Sequence, residues 1–144
     1  MRINHQLVYQ KSENSLFSSI NVSLFNDQFF KPKGKKAFSW GQMIHSEKTY
    51  SQLGIVFNVT SGKDEDVQVS FYDGEGLLGT VNHTLKNGSS LKFNSNQEKF
   101  SSLFARPISG GNIWYTIKSE RPDISGFVVT THRDTLHSTG EHSY

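Results

Sequence analysis

The chain of 144 residues contains no cysteine, only three prolines and only two methionines. Without cysteine the protein has no disulfide bond, no thiolate zinc site and no cysteine nucleophile. The longest apolar run near the middle of the sequence, Ile55-Val56-Phe57, is far too short to span a bilayer, so we expect no membrane insertion. No apolar signal segment follows Met1, so we expect either a cytoplasmic protein or a fragment of an exported chain.

Signatures of catalysis are also lacking. The sequence has no glycine-rich dinucleotide loop, no P-loop and no nucleophile elbow. His132 and Asp134 stand too close together in the sequence to form a catalytic triad, and no serine stands out as their nucleophile. We therefore expect a non-enzymatic protein that carries no cofactor.

The chain also lacks a strong excess of charge of one sign. Fifteen basic residues face 13 acidic ones, which leaves a net charge of +2. A dedicated nucleic-acid binder has a much stronger basic excess. One compact basic run, Lys31–Lys36, could still contact phosphates or an anionic surface, but a solvated loop is the simpler interpretation. Nucleic acid is therefore a weak candidate partner.

The chain is rich in the residues that build strands and turns. Glycine, serine and asparagine are abundant, and aromatic residues make up 12% of the chain. Apolar residues recur at every second position in several segments, which is typical of strands with one buried face. These segments are Ile20–Leu24, Leu53–Val59, Val67–Phe71 and Ile113–Ile117.

Turn signals fall between these segments and add further strands. Asp73–Gly76 and Asn87-Gly88 read as hairpin turns, because glycine adopts positive φ without steric cost. These two turns and the turn at Pro122 indicate three further strands. They are Leu77–Leu85, Leu91–Phe93 and Ile124–Thr131.

One short helix is predicted after Phe93. Ser95–Glu98 has the form of a capping box, in which the serine hydroxyl and the glutamate carboxylate bind first-turn amides. Phe100, Leu103 and Phe104 then share one helical face, and Pro107 ends the helix.

The pattern as a whole predicts an all-β fold. We expect an antiparallel β-sandwich of immunoglobulin-like or jelly-roll type, with seven to eight strands and the one helix. Residues 1–15 and Lys31–Ser39 lack clear periodicity and are expected to be arms or loops. The predicted organisation is an N-terminal arm over residues 1–15 and a sandwich domain over residues 16–144.

Two tryptophans are the first candidates for a binding site. Trp114 stands between Ile113 and Tyr115, whose side chains are expected to point inward, so Trp114 should lie on an outer face. Together with Trp40 it could stack on a sugar or form a subunit interface. Packing beneath a loop or the helix is the alternative.

The C-terminal segment holds the second set of candidates. Arg133 and Asp134 are candidate ligand-binding residues. His132, His137 and His142 stand five residues apart and could bind a metal if the segment folds back. Five-residue spacing converges poorly on either a strand or a helix, so a solvated polar tail is the competing interpretation.

A series of short segments carries a resemblance to a known family. They run from His45-Ser46-Glu47 to Phe57-Asn58, then Asp64–Val67, Phe71-Tyr72, Thr84-Leu85, Phe93-Asn94, Ile117–Ser119, Pro122, Val128-Val129 and His132–Asp134. Through these segments about two thirds of the chain resembles the sensory rhodopsin transducer family. The resemblance implies a small cytoplasmic β-sandwich that forms a homo-oligomer and acts by binding partners, with sugar or DNA among the ligands linked to the family. This sequence departs from the family in its longer N-terminal region and its His-rich tail.

Three functions remain open from the sequence. The first is a non-enzymatic, homo-oligomeric binding or interaction domain, with a role in signal transduction among those considered. It is indicated by apolar residues such as Val56 and Trp114 on nominally outer strand faces. The second is carbohydrate binding at Trp114 and Trp40. The third is metal-dependent chemistry at the three C-terminal histidines.

Overall fold

A computed structural model describes residues 3–9, 18–24, 37–57, 63–120 and 124–143. Over these residues the chain forms strands and one short helix. The elements are β1 (Ile3–Tyr9), β2 (Ser18–Leu24), β3 (Ala37–Ile44), β4 (Thr49–Phe57), β5 (Glu65–Asp73), β6 (Gly76–Leu85), β7 (Ser90–Asn94), α1 (Glu98–Ser101), β8 (Asn112–Ser119), β9 (Ile124–His132) and β10 (Ser138–His142).

Two four-stranded antiparallel sheets enclose the core. The first sheet has the order β3-β8-β5-β6, and the second has the order β10-β9-β4-β7. Strands β1 and β2 pair as a separate antiparallel hairpin. The prediction of an all-β sandwich with one short helix is confirmed. No helix among the described residues is long and apolar enough to cross a membrane.

Alternation along the strands places the core as the sequence predicts. On β8 the side chains of Ile113, Tyr115 and Ile117 are buried, whereas Trp114 and Lys118 are exposed. Strand β5 alternates in the same way, so the inner faces of both sheets supply the core. The core residues are Met43, Leu53, Ile55, Val67, Val69, Phe71, Leu78, Leu85, Phe93, Phe100, Ile113, Tyr115, Ile117, Ile124 and Val128.

Three strands lie where the sequence shows no periodicity. Strand β3 begins within the segment expected to be a loop. Its apolar residues lie on both faces, since Phe38 and Trp40 face outward while Met43 faces the core. The sequence of β3 therefore shows no consistent alternation between apolar and polar residues. Strand β10 carries no large apolar residue and is held by its backbone pairing with β9. Strand β1 falls within the expected N-terminal arm and pairs with β2.

The helix forms where it is predicted, but its capping box does not. The residue that caps α1 is Gln97, and its side chain makes no capping hydrogen bond. Ser95 stands two positions earlier and is only 1% exposed. Its hydroxyl donates to the carbonyl oxygen of Ile44, at 2.9 Å, so it joins the helix segment to β3 and caps nothing.

Candidate binding face

The large apolar side chains that remain exposed lie together on one surface. Among the described residues they are Phe38 (58% exposed), Trp40 (46%), Leu77 (55%) and Trp114 (44%). All four belong to the first sheet and point away from the core, on β3, β6 and β8. We call this surface the outer face of the first sheet. Clustered exposed apolar side chains are a common feature of interaction sites, so this face is the candidate site.

Strand register explains why the two tryptophans meet. Trp40 on β3 lies opposite Thr116 on β8, and Trp114 on β8 lies opposite Gln42 on β3. The two tryptophans are therefore separated by two positions along the strand pair. Diagonal neighbours on one face of adjacent strands are within reach of aromatic side chains. The ring centroids of Trp40 and Trp114 are 6.1 Å apart, with a tilt of 42° between the rings. The structure therefore brings the two predicted tryptophans together.

The apolar surface continues as a band across the sheet. Trp114 on β8 lies opposite Tyr72 on β5, and Tyr72 lies opposite Leu77 on β6. Phe38 extends the band along β3 beyond Trp40. The band thus runs from one edge strand of the sheet to the other.

Polar side chains occupy the rest of the same face. Lys118, Gln68 and Asn82 form one row across β8, β5 and β6. The amide nitrogen of Gln68 donates to Asn82 Oδ1 at 3.1 Å, and the ammonium of Lys118 lies 6.0 Å from the ring centroid of Phe38. Amides, which both donate and accept hydrogen bonds, thus lie in the same row across the sheet as the ring of Phe38.

A depression of about 700 Å³ opens at this polar end of the face. Its volume lies within the range of small-molecule sites, which is about 300–1,000 Å³. Thr84 donates to Asp66 Oδ1 at 2.6 Å at its rim. Its lining residues are Phe38, Asp66, Val67, Gln68, Asn82, His83, Thr84, Lys118, Ser119 and Glu120.

Arg133 and Asp134 lie apart from the tryptophan pair, at one end of the second sheet. The Arg133 guanidinium is 5.2 Å from the ring centroid of Tyr50 and donates to Asn96 Oδ1. The backbone N–H of Arg133 also donates to the carbonyl oxygen of Lys48, at 2.7 Å. These contacts tie the β9–β10 turn to its neighbours, and Asp134 is exposed beside them.

The three C-terminal histidines lie at the end of β9, in the β9–β10 turn and at the end of β10. The backbone N–H of His132 donates to the carbonyl oxygen of His137 at 2.8 Å, so these two residues are neighbours. His142 pairs with Phe127, five residues before His132 on β9, and five residues of strand span about 16 Å. The described side chains include no group of three His, Asp or Glu residues that could hold a metal ion.

Several of the predicted features lie outside the described residues. Among them are the basic run Lys31–Lys36 and the side chains of Val56 and His142. The sequence also gave no indication of Phe38, Gln68, Asn82 and Lys118 as parts of a site. Their common face follows only from the pairing of β3 with β8, of β8 with β5 and of β5 with β6.

A buried carboxylate fixes the turn that carries Leu77. Asp73 ends β5 with its side chain fully shielded and accepts two hydrogen bonds from the Arg106 guanidinium, at 2.5 and 2.7 Å. The backbone N–H groups of Ser109 and Glu75 also donate to it, at 2.8 and 2.9 Å. The hydrogen bonds from Arg106, more than those from the two amides, hold the pKa of Asp73 well below its usual range, although burial opposes them.

This pKa predicts how stability depends on pH. Because the folded-state pKa of Asp73 is depressed, its stabilising effect is complete above the unfolded pKa of about 3.9 and is lost as pH falls toward the folded value. Asp73→Asn should therefore be less stable than the natural chain by a constant margin from about pH 5 to 8, and the margin should shrink below about pH 4. Urea unfolding between pH 2.5 and 8 measures this.

Asp64→Asn is the matched control for that series. Asp64 pairs with Lys86 at 2.6 Å, but both side chains are largely exposed. Exposed ion pairs contribute little and are screened by salt, so this variant should differ from the natural chain by much less than Asp73→Asn at every pH. A margin for Asp73→Asn that stays constant down to pH 2.5 would contradict the role given to Asp73.

Comparison with known proteins bears on the fold. No protein-family model matches the chain, and no curated protein matches it. The crystal structure of Thermotoga maritima protein 1070 superposes with a TM-score of 0.51 at 12% sequence identity, covering 79% of this chain and 96% of that one. At that identity the similarity is one of fold, and the two chains share the β-sandwich architecture.

Proposed function

We propose that the protein is a non-enzymatic binding domain that recognises its ligand on the outer face of the first sheet. One observation carries the proposal. The exposed large apolar side chains of the described residues gather on this face, next to a depression lined by amide, hydroxyl, carboxylate and ammonium groups. Aromatic surface with a few polar groups at its side is the usual composition of a ligand site.

The neighbouring ionisable groups favour binding over catalysis. Asp73 is engaged by Arg106, and the buried Glu65 accepts a hydrogen bond of 2.5 Å from Ser119. Both carboxylates are thus engaged in contacts within the fold. The resemblance to the sensory rhodopsin transducer family also implies binding without catalysis.

A carbohydrate is the ligand class that fits this face best. Sugars present an apolar C–H surface that stacks on aromatic rings, which Trp114 and Phe38 offer here. Their hydroxyl groups need partners that both donate and accept, which Gln68 and Asn82 supply within the same face. The tilt between the two indoles suits a curved or single chain better than a flat crystalline surface.

Removal of either tryptophan should abolish glycan binding. Trp114→Ala and Trp40→Ala each delete an aromatic ring of the face, and loss of such a contact typically lowers affinity by about 30-fold or more. Electrophoresis in gels that contain xylan, mannan or mixed-linkage glucan, with pull-down on cellulose and chitin, measures binding. Circular dichroism confirms that the variants are folded.

Leu77→Ala is the control, because it removes an equally exposed apolar side chain from the far edge of the same face. It should retain binding. If the natural chain binds none of these polysaccharides, the proposal of a carbohydrate ligand is wrong. If binding survives both tryptophan substitutions, the outer face of the first sheet is not the binding site.

Self-association through the same face is the second candidate function. The apolar band that ends in Phe38 and Leu77 is the observation that favours it, because exposed apolar patches are often covered in oligomers. Light scattering on a sizing column decides between the two. A discrete dimer or tetramer that Leu77→Glu dissociates supports self-association, and a monomer at all concentrations leaves the face to the ligand.

A further inference from the structure

A second groove lies on the lateral side of the sandwich, away from the outer face of the first sheet. Strands β6 and β7 are the outermost strands of their sheets on this side, and α1 follows β7. The groove opens between these three elements and has a volume of about 240 Å³. The residues that line it are Val81, Leu91, Lys92, Phe93, Asn94, Gln97, Lys99, Phe100 and Leu103.

The floor of the groove is part of the core. Val81 faces inward from β6, opposite Val69, and Leu91 faces inward from β7, opposite Ile55. Leu91 and Leu103 are only partly buried although they pack against the core cluster. The cavity is smaller than a small-molecule site of about 300 Å³ or more, so it fits one large apolar side chain rather than a whole ligand.

The edge of the groove offers backbone hydrogen bonds. Strand β7 pairs with β4 on one side, and no described strand pairs with its other side. An unpaired strand edge presents a row of N–H and C=O groups that an extended peptide can join. In such an added strand, side chains alternate between the gap that faces the groove and the outer surface.

The charged residues beside the groove indicate which side chains the added strand should carry. Lys92 projects from the outer face of β7, between the inward-facing Leu91 and Phe93, and Lys99 stands on α1 at the groove's rim. Both lysines are exposed, and no acidic residue is among the described side chains that line the groove. Opposite charges directly across a strand pair are favourable, so acidic residues suit the outward positions of the peptide.

We propose that the lateral groove binds an extended segment of a partner protein, which adds to the edge of β7 and alternates acidic residues with large apolar ones. The apolar side chain enters the cavity over Val81 and Leu91, and the acidic side chains meet Lys92 and Lys99. The proposal does not depend on the ligand of the outer face.

The test uses the full chain and three synthetic peptides. The first is acetyl-Glu-Leu-Glu-Phe-Glu-Thr-amide, the second replaces each Glu by Lys, and the third carries N-methyl groups at alternate residues of the first. Fluorescence anisotropy measures affinity, and amide chemical shifts locate the contact. The first peptide should bind and shift residues of β7 and α1, while the second should bind at least about tenfold more weakly. Loss of binding by the N-methylated peptide shows that backbone pairing is used.

Variants separate the charge contribution from the cavity. Lys92→Glu combined with Lys99→Glu should weaken the acidic peptide and strengthen the basic one, whereas Lys48→Glu, an exposed lysine in the β3–β4 turn, should change neither. Val81→Trp should fill the cavity and exclude both peptides. Equal binding of the acidic and basic peptides, an unchanged affinity in the double variant, or shifts confined to other surfaces would each overturn the proposal. A dimer that the acidic peptide fails to displace from β7 would assign the edge to a second copy of the chain instead.

Discussion

Phe71→Ala is expected to lower the free energy of unfolding by about 3–5 kcal/mol, because it removes a large side chain from the centre of the core. Phe71 is fully buried. Its ring centroid lies 5.1 Å from that of Phe93, 5.3 Å from Phe100 and 5.6 Å from Phe104, in edge-to-face arrangements. It therefore joins the first sheet to the second sheet and to the helical segment at once. A cavity in this position leaves three rings without a shared neighbour.

The expected loss is a large part of the total stability of a domain, which is typically about 5–15 kcal/mol. Guanidinium unfolding followed by circular dichroism measures it, and the slope with denaturant should not change if the variant keeps the same fold. Phe71→Leu should cost less, because it retains most of the apolar volume. Leu77→Ala, an exposed position, should stay within about 0.5 kcal/mol of the natural chain. Equal losses at Phe71 and Leu77 would contradict the description of the core.

The alternation of apolar and polar residues predicted the sandwich, because a strand with one buried face needs apolar side chains at every second position. On β5 and β8, the inward residues are apolar or small except for Glu65 and Asp73 at the two ends of β5, and most outward residues are polar, so period and burial agree. Strand β3 escaped prediction because its outward face is aromatic. Strand β10 escaped because backbone pairing alone requires no apolar side chain.

The candidate site was likewise predicted only in part from the sequence. Trp114 could be placed on an outer face because its two neighbours on β8 are apolar and inward-facing. Its neighbours across the sheet could not be named, because register between distant strands is not a local property. The row of Lys118, Gln68 and Asn82 depends on two such registers. Sequence reasoning therefore found the tryptophans and missed the polar groups beside them.

Ser95 shows how a correct local pattern can describe the wrong contact. The residue matches a capping box in sequence, but the structure buries it between strands. Its hydroxyl accepts from the backbone N–H of Ser51 at 2.9 Å and donates to the carbonyl oxygen of Ile44 at 2.9 Å. The Ser51 hydroxyl in turn accepts from the N–H of Ile44 and lies 2.7 Å from the hydroxyl of Thr130. The two serines thus link β3, β4, β9 and the segment after β7.

Substitution of Ser95 distinguishes this linkage from a helix cap. Ser95→Ala leaves a buried N–H and a buried carbonyl without their partner, at roughly 1–3 kcal/mol for each group. Ser95→Asp should be less stable still, because a carboxylate cannot donate to Ile44 and would be ionised in a buried position. A helix cap predicts the opposite order, since aspartate and serine cap equally well and alanine does not.

Gln97→Asp is the matched control, because Gln97 is the residue that stands at the N-cap of α1 and makes no capping bond there. Aspartate at this position can accept from first-turn amides, so this variant should be neutral or slightly more stable, by up to about 1 kcal/mol. Urea unfolding of the three variants at pH 7 gives the order. If aspartate is tolerated at Ser95 and alanine is not, the hydroxyl acts on the helix and the proposed linkage between the strands is wrong. If aspartate is harmful at Ser95 and harmless at Gln97, two residues apart, the hydroxyl at Ser95 acts between the sheets.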